Sequence, residues 1–524
     1  MFDSHSISRP AMAVLSVRRF SVTLMPTTAA PSPNPLAANP LAANEPSVKP
    51  AAVVILAAGQ GTRMKSAKPK VLHEVCGRSL LGFAVEAAKQ LDPAQINVVV
   101  RHDRDAVAAH AQALYPQVVI ADQDEIPGTG RAAQLAMEAL DAHGEISGPV
   151  VITYSDVPLL DGDTLAELVA NQVETGAAMA LLSTVLDDPT GYGRMVRDQK
   201  GDLIGIVEEK DASAAIRQIN EVNAGVYAVD AAVLRAALQS LKPSAVTGEV
   251  YLTDIVDYAV KQGLPVKAVI AADRYSVEGC NDKATLAMLG KELNRRIVEN
   301  WMLQGVTVID PDTTWIDVDV TLEPDVTIEP GVQLRGKTTV ARGATVGPDS
   351  TLTDMTIGAG ASVVRSHGSE TIIGPGAQVG PFAFMRPGTV LGADGKIGAY
   401  CETKNAQIGD GSKVPHLSYV GDVEIGTGSN IGAATIFANY DGVHKHHTKV
   451  GNEVRIGSDS IIVAPVTIGD GAYTAAGSVI TEDVPAGALG IGRAHQHNSE
   501  GWTAKRRAGT PAADAAAASV KSSI

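Results

Sequence analysis

From Leu322 onward an aliphatic residue returns every six positions (Leu322, Ile328, Leu334, Val340, Val346, Leu352), commonly followed by Gly, Ala or Glu. A six-residue period suits neither a helix nor an ordinary strand. It suits a coil with flat, equivalent faces, in which three short parallel strands per turn each send one aliphatic residue inward to fill a triangular prism. The second half therefore predicts a left-handed parallel β-helix. The phase slips and returns at Ile373 and Val379, at Ile408 and Val414, at Ile425 and Ile431, and at Val450, Ile456, Ile462 and Ile468. Cassettes such as Ile408-Gly409-Asp410-Gly411 and Ile468-Gly469-Asp470-Gly471 put Gly at corners, where positive φ is cheap. Between Ile431 and Val450 the period breaks, and Phe437 to Lys449 are expected to leave the prism as a loop.

The first half has a different rhythm. The apolar run Ala-Ala-Val-Val-Ile-Leu after Pro50, and further runs at Ile96–Val100, Val118–Ala121 and Val150–Thr153, alternate with amphipathic patterns at Leu80–Leu91, Asp105–Leu114 and Arg131–Leu140. That alternation predicts a parallel sheet wrapped by helices, which binds ligands at the carboxyl ends of its strands. Leu286, Leu289, Leu293, Ile297 and Trp301 recur at spacings of three and four, making residues 283–305 a helix with one apolar stripe between the halves. The expected organisation is an extension over 1–48, an α/β domain over 49–280, a linker helix over 281–305, the β-helix over 306–502 and a tail over 503–524.

A chain of 524 residues is too long for one hydrophobic core, so several domains agree with the length. The 58 acidic against 43 basic residues leave a net charge of −15, which argues against a nucleic-acid partner, so any phosphate must be held by a local site. Cys76, Cys280 and Cys401 form no C-x-x-C pair, which suits a reducing cytoplasm and no disulfide framework. No stretch of eighteen apolar residues suggests a membrane span. Residues 1–48 are rich in Ser, Pro, Asn and Ala and repeat Asn-Pro-Leu-Ala-Ala over 34–43, a composition expected to stay disordered. Arg9, Arg18 and Arg19 against Asp3 leave a targeting peptide as the other reading, with Met25 as a further possible start. The Ala-rich tail is expected to behave like the extension.

Directly after the first apolar run stands Leu56-Ala57-Ala58-Gly59-Gln60-Gly61-Thr62-Arg63-Met64, then Lys68-Pro69-Lys70. Two glycines let backbone N–H groups approach a phosphate chain, and Arg63 and Lys70 supply compensating charge. A dinucleotide fold would want a third Gly where Met64 stands, and no G-K-[ST] is present for a P-loop. The bland alternative is a plain strand-to-helix turn with solvated basic residues.

These motifs resemble those of sugar-1-phosphate nucleotidyltransferases. With the hexapeptide coil attached, the chain from about 50 to 502 resembles the family of bifunctional N-acetylglucosamine-1-phosphate uridyltransferases and glucosamine-1-phosphate acetyltransferases. The resemblance implies an α/β, Rossmann-like nucleotidyltransferase domain joined to a left-handed parallel β-helix. It implies that Leu56, Ala57, Ala58, Gly59 and Lys70 bind the nucleotide, with Arg63 and Lys70 catalytic, and that Gln123, Gly128 and Thr129 read uracil. Tyr154-Ser155-Asp156 matches the family's Y-G-D, so Asp156 and Asn281 are implied magnesium ligands. Gly193, Glu208 and Asn223 are implied to hold the N-acetylglucosamine ring. Magnesium wants few protein oxygens, and transfer to an anionic sugar phosphate needs positioning and charge neutralisation more than a base. Ser155 where the family has Gly, and Arg131 where it usually has His, are departures that bear on the nucleotide contacts.

On the coil, the resemblance implies Arg386, Lys404, Tyr419 and Asn430 for the sugar phosphate and His416 as general base, a task suited to a side chain titrating near neutrality. Ala433, Asn439, Tyr440, Ser458, Ala476 and Arg493 match positions lining the acetyl-CoA channel. His444, His446 and His447 could suggest zinc, but ligands from one short stretch differ from a site built across coils, and they read as a solvated basic loop. The expected enzyme acetylates glucosamine 1-phosphate from acetyl-CoA. It then couples the product to UTP with Mg2+, making UDP-N-acetylglucosamine for peptidoglycan and lipopolysaccharide, as a cytoplasmic homotrimer. Two other readings are a monofunctional nucleotidyltransferase with a regulatory or oligomerising coil, and a structural solenoid with a degenerate nucleotide domain.

Overall fold

The computed structural model describes residues 48–522; the expectation for 1–47 lies outside the described residues. Val48, assigned to the extension by composition, packs partly against the core of the sheet.

Strand Ala52–Leu56 is fully apolar because both of its faces are covered. It pairs in parallel with Gln95–Val100 on one side and Pro149–Tyr154 on the other, so the chain reverses its direction of winding at this strand. Val119–Asp122 extends the first side in parallel. On the other side Glu221–Asp230 runs antiparallel between Pro149–Tyr154 and Met179–Val185, and Val266–Ile270 closes that edge. Helices Leu80–Gln90, Thr129–Asp141 and Gly162–Glu174 bury their small and aliphatic faces against the sheet in two separate apolar layers. Strand carboxyl ends at a reversal of winding form a crevice, and the Gly59–Gly61 loop opens into it.

The linker helix runs Lys283–Leu303, capped by Asp282, whose carboxylate accepts from the Thr285 N–H at 2.8 Å. Leu289, Leu293, Ile297 and Trp301 are buried as the stripe predicts, packed in one cluster with the interior of the first coils. Asn294 ties helix to coil by donating to the Thr314 carbonyl at 2.8 Å and accepting from the Ile316 N–H at 2.9 Å.

The coil follows the hexapeptide rule. Thr327 pairs with Thr345 and Gln333 with Thr351, one turn of eighteen residues. The phase slips are shortened turns: Thr345 pairs with Ser362, and Ser362 with Gln378. The break after Ile431 is an insertion, since Ile436 pairs with Ile461 and Val423 with Thr448 across twenty-five positions. Its edges differ from the sequence reading. Phe437 is buried inside the prism in strand Ile436–Ala438, and Thr448 lies buried in strand Thr448–Val450, so the projecting loop is residues 439–447. An aromatic ring fits where the neighbouring turns offer smaller inward residues, and a period read on aliphatics alone passes over it. After the coil, helices Trp502–Arg506 and Pro511–Ser522 occupy the Ala-rich segment, where Ala's helix propensity acts; among the described residues neither helix joins one of the apolar cores. Among the described residues no helix is long and apolar enough to cross a membrane.

Candidate active sites

The crevice of the sheet has a cavity of about 510 Å³. Leu56, Ala58, Gly59, Lys70, Gln123, Gly128, Thr129, Tyr154, Ser155, Asp156 and Glu208 all line it, residues the sequence drew from six separate segments. At one end four polar groups meet. Lys70 pairs with the Asp156 carboxylate and lies 3.3 Å from the Asn281 Oδ1, which also accepts from Arg63 Nη2 at 2.6 Å. The Lys70 and Asp156 side chains are only 13% and 20% exposed, so this pair is weakly screened. Gly61, at φ 64, lets the loop turn sharply and leaves room for Lys70, whose Cβ would lie 2.4 Å from any Cβ at 61. The Asp156 backbone is fixed from the far side by the Cys280 N–H, which donates to its carbonyl at 2.8 Å.

The two departures are absorbed by the protein itself. Ser155 is buried and its hydroxyl donates to the Leu56 carbonyl at 2.9 Å, so the extra polar atom is satisfied inside the sheet. Arg131 forms an ion pair with Asp124 at 2.5 Å, and Asp124 accepts from the Ile126 N–H at 3.1 Å, bracing the turn that carries Gln123 and Gly128. Gln123 donates to the carbonyls of Ile126 and Gly128 at 3.1 Å each. A Cβ at Gly128 would lie 2.1 Å from the Val250 carbonyl oxygen, so only Gly fits there.

Glu208 lines the cavity, whereas Gly193 and Asn223 do not, and the segment that carries Glu208 is braced by a buried cation. Arg194 is 1% exposed, donates to the Tyr192 carbonyl and pairs with Glu209 at 2.6 Å, joining the Gly193 turn to the segment that carries Glu208. The Asn223 N–H donates to the Gly193 carbonyl at 2.8 Å, while its amide donates to the Tyr227 hydroxyl at 2.7 Å. Asn223 thus shapes its own loop. Burial pushes the Glu208 carboxyl above its ordinary range, opposed by the Thr253 hydroxyl donating at 3.0 Å. The sequence reading missed Arg101, His102, Glu249 and Tyr251, which line the same cavity. Arg101 stands directly after strand Gln95–Val100, where the carboxyl-end rule pointed.

On the coil the register brings the second set together. Ala434 N–H donates to the His416 carbonyl, Asp459 N–H to that of Ala433, and Gly477 N–H to that of Ser458. His416, Ala433, Ser458 and Ala476 therefore occupy equivalent places in successive turns, a column at one corner with the exposed His416 at its head. A Cβ at Gly477, beside Ala476, would lie 3.8 Å from Arg493, which brings that residue to the foot of the column. On the adjacent face Arg386 N–H donates to the Thr403 carbonyl and Lys404 pairs with Gly421, so the two cations stack. Arg386 pairs with Glu402 at 3.0 Å. Asn430 pairs with Lys413, in the strand that ends at His416. The inserted loop folds on itself. Asp441 accepts from the Val443 and His444 N–H groups at 2.8 and 2.6 Å and pairs with His446 at 2.7 Å, while His447 reaches Glu424 at 3.5 Å. The His446 ring and the two N–H groups hold the Asp441 carboxyl down to about 2. Asn439, buried, and Tyr440, exposed, begin this loop beside Tyr419. Among the described residues no group of three or more His, Cys, Asp or Glu is placed to hold a metal ion.

A crevice at the carboxyl ends of an α/β sheet, joined to a hexapeptide coil that carries a column headed by His416, defines a nucleotidyltransferase fused to a hexapeptide-repeat transferase. Comparison agrees: residues 53–222 match the MobA-like NTP transferase domain, and residues 447–482 match the bacterial transferase hexapeptide (six repeats). The chain is 56% identical over 474 residues to the Bifunctional protein GlmU of Pseudarthrobacter chlorophenolicus, covering 90% of this chain and 96% of that protein. It is 57% identical over 472 residues to its namesake in Kineococcus radiotolerans, at 90% and 95% coverage, and 51% identical over 487 residues to that in Micrococcus luteus, at 90% and 98%. The chain belongs to the GlmU family of bifunctional proteins.

Proposed function

We propose that the chain makes UDP-N-acetylglucosamine at two sites: the coil N-acetylates glucosamine 1-phosphate from acetyl-CoA, and the α/β domain couples the product to UTP with release of pyrophosphate. The observation that carries this reading is the convergence of two unrelated constellations, Arg63, Lys70, Asp156 and Asn281 in the crevice and the column headed by His416 on the coil. A coil that only oligomerised would have no need of the second.

At the uridyl site the Gly59–Gly61 loop offers backbone donors to the triphosphate, and Arg63 and Lys70 neutralise charge as it gathers on the leaving pyrophosphate. The donor set suits magnesium. An Asp156 carboxylate oxygen and the Asn281 amide oxygen both point at the Lys70 ammonium, so two hard oxygens converge where a cation is already favoured. Bound there, Mg2+ supplies charge neutralisation at the reacting phosphates. Gln123, Gly128 and Thr129 hold the base, and Gly193, Glu208 and Asn223 form the sugar wall. At the acetyl site Arg386, Lys404, Tyr419 and Asn430 take the sugar phosphate, and His416 removes a proton from the amine as it attacks the thioester. Asn439, Tyr440, Ala433, Ser458, Ala476 and Arg493 receive acetyl-CoA.

Exposed aromatics on the coil, Phe382 and Phe384 at half exposure and Tyr400 stacked on Phe382 with ring centres 5.2 Å apart, support an assembly through the coil, which we read as a homotrimer. Three buried free cysteines support residence in the reducing cytoplasm. The boundaries 49–280, 281–305 and 306–502 belong to the same reading. The test supplies glucosamine 1-phosphate, acetyl-CoA, UTP and Mg2+ together and measures UDP-N-acetylglucosamine, CoA and pyrophosphate. Uridyl transfer to N-acetylglucosamine 1-phosphate without any CoA release would reduce the coil to a scaffold.

A further inference from the structure

One carboxylate stands inside the polar face of the coil with no role in the proposed reaction. Asp422 lies in strand Tyr419–Ile425 and is only 9% exposed, with φ 51, a backbone that Asp tolerates better than most residues. Its two oxygens are taken by two amides: Asn405 Nδ2 donates to one at 2.8 Å and Asn439 Nδ2 to the other at 2.5 Å. Burial opposes the charge, but the Asn405 and Asn439 amides, helped by the nearby Lys404 and Lys445 charges, hold the carboxyl below its ordinary range and ionised. Lys404 and Lys445 in turn crowd each other, which pushes the Lys445 ammonium below its ordinary range, so Asp422 is the counter-charge for a cationic pair.

An ionised carboxylate can only accept hydrogen bonds, whereas an asparagine amide can present either its NH2 or its carbonyl. Both amides are therefore forced to turn their NH2 groups toward Asp422. For Asn439 the same NH2 also faces the Tyr419 hydroxyl at 3.4 Å. Its carbonyl oxygen is left facing away from the carboxylate, as the one acceptor the side chain can offer. Gly421, next in the chain, has no side chain to intrude where Tyr419 and Asn439 meet.

We infer that Asp422 is a positioning residue for acetyl transfer, fixing the Asn439 amide in the one orientation that presents its carbonyl to the substrates. The inference rests on the acetyl-transfer reading above. Asp422 touches no substrate in this scheme, and it acts through Asn439.

The test is Asp422→Asn in the full-length protein. This isosteric amide can donate as well as accept, so the Asn439 side chain is free to turn over. The acetyl-transfer kcat should fall about 10- to 100-fold, the scale of a misoriented group, with the uridyl half-reaction and the melting temperature close to those of the parent. In an Asn439→Ala background the same change should cost less than about twofold, because the group it orients is gone. A purely structural carboxylate would give a penalty that multiplies in full on that background, and this would overturn the inference, as would an Asp422→Asn protein acetylating within twofold of the parent. Should Asp422→Asn fail to fold by circular dichroism and melting, Asp422→Ser carries the same two expectations. Absence of acetyl transfer by the unaltered chain would instead overturn the functional reading itself, so the two failures are distinguishable.

Discussion

Gly421→Ala separates the geometry of the acetyl site from the stability of the coil. Gly421 stacks on Lys404 in the turn below, and its backbone lies outside the left-handed region, so alanine meets no main-chain strain. The added Cβ would lie 2.5 Å from the Tyr419 Oη, 2.7 Å from its Cζ and 2.9 Å from the Asn439 Nδ2. Ordinary contact begins near 3.4 Å, so the tip of Tyr419 must move by about 0.9 Å. Both obstacles are ends of side chains, which yield more cheaply than backbone, and the stability cost falls at the low end of overpacking, about 1 kcal/mol. The functional cost is larger. A displacement of about 1 Å in a positioning group costs on the order of 100-fold in rate, or about 2.7 kcal/mol of barrier. CoA release with glucosamine 1-phosphate and acetyl-CoA should therefore slow by about 100-fold. Pyrophosphate release from UTP and N-acetylglucosamine 1-phosphate should be unchanged, and the melting temperature should drop only a few degrees. Acetylation at the parent rate would refute the reasoning, because Tyr419 and Asn439 would then have been moved without consequence.

Asp156→Ala should cut uridyl transfer by at least about 100-fold and leave acetyl transfer intact, since it removes one of two converging oxygens and touches only the crevice; loss of both half-reactions in a folded protein would contradict two separate sites. His416→Ala should slow acetyl transfer by about 100-fold or more, with partial rescue as rising pH frees the amine, while uridyl transfer proceeds as before. Acetylation by that protein at the parent rate at neutral pH would make His416 structural. Ser155→Gly, which restores the family's residue, should lower stability by about 1–2 kcal/mol through the lost hydrogen bond to Leu56 and the freer backbone, with the KM for UTP within about twofold. A larger shift in KM would mean that the hydroxyl meets the nucleotide.

The coil was legible because its period is set by geometry that repeats, and Leu322 to Leu352 state it without interruption. Its irregularities were half legible. The slips at Ile373 and Ile408 marked shortened turns, but the inserted loop was drawn too wide because Phe437 enters the core as an aromatic among aliphatics. In the α/β half, the buried parallel strands announced themselves as apolar runs, while the antiparallel Glu221–Asp230 gave no sign of its direction, since orientation is decided by pairing across the sheet. The polar end of the crevice could not be assembled from spacing alone. Lys70 and Asp156 are 86 residues apart, and Arg63 and Asn281 are 218 apart, so only resemblance joined them before the fold did. Asp422 was visible as an acid among Val420, Val423 and Ile425, but nothing in the sequence said which amides it would face.

The junction between the halves gives the coil a part in the first site as well as the second. Soon after Lys70 the chain forms the hairpin Glu74–Val75 and Arg78–Ser79, and this hairpin belongs structurally to the coil. The Cys76 carbonyl accepts from the Val318 N–H at 2.9 Å, its thiol donates to the Gly290 carbonyl of the linker helix at 3.6 Å, and Arg78 pairs with Asp319 at 2.6 Å. Val75, Cys76, Leu80 and Phe83 share one apolar cluster with Leu289, Trp301 and the inward residues of the coil. The segment that carries Lys70 is thus held at one end by the sheet and at the other by the linker helix and first turn. A positioned ammonium loses effect when it shifts by an ångström, and two rigid attachments on a short segment limit that freedom. By the same logic, damage confined to Asp156 stays in the crevice, whereas damage to the first turn of the coil reaches Lys70 through the hairpin.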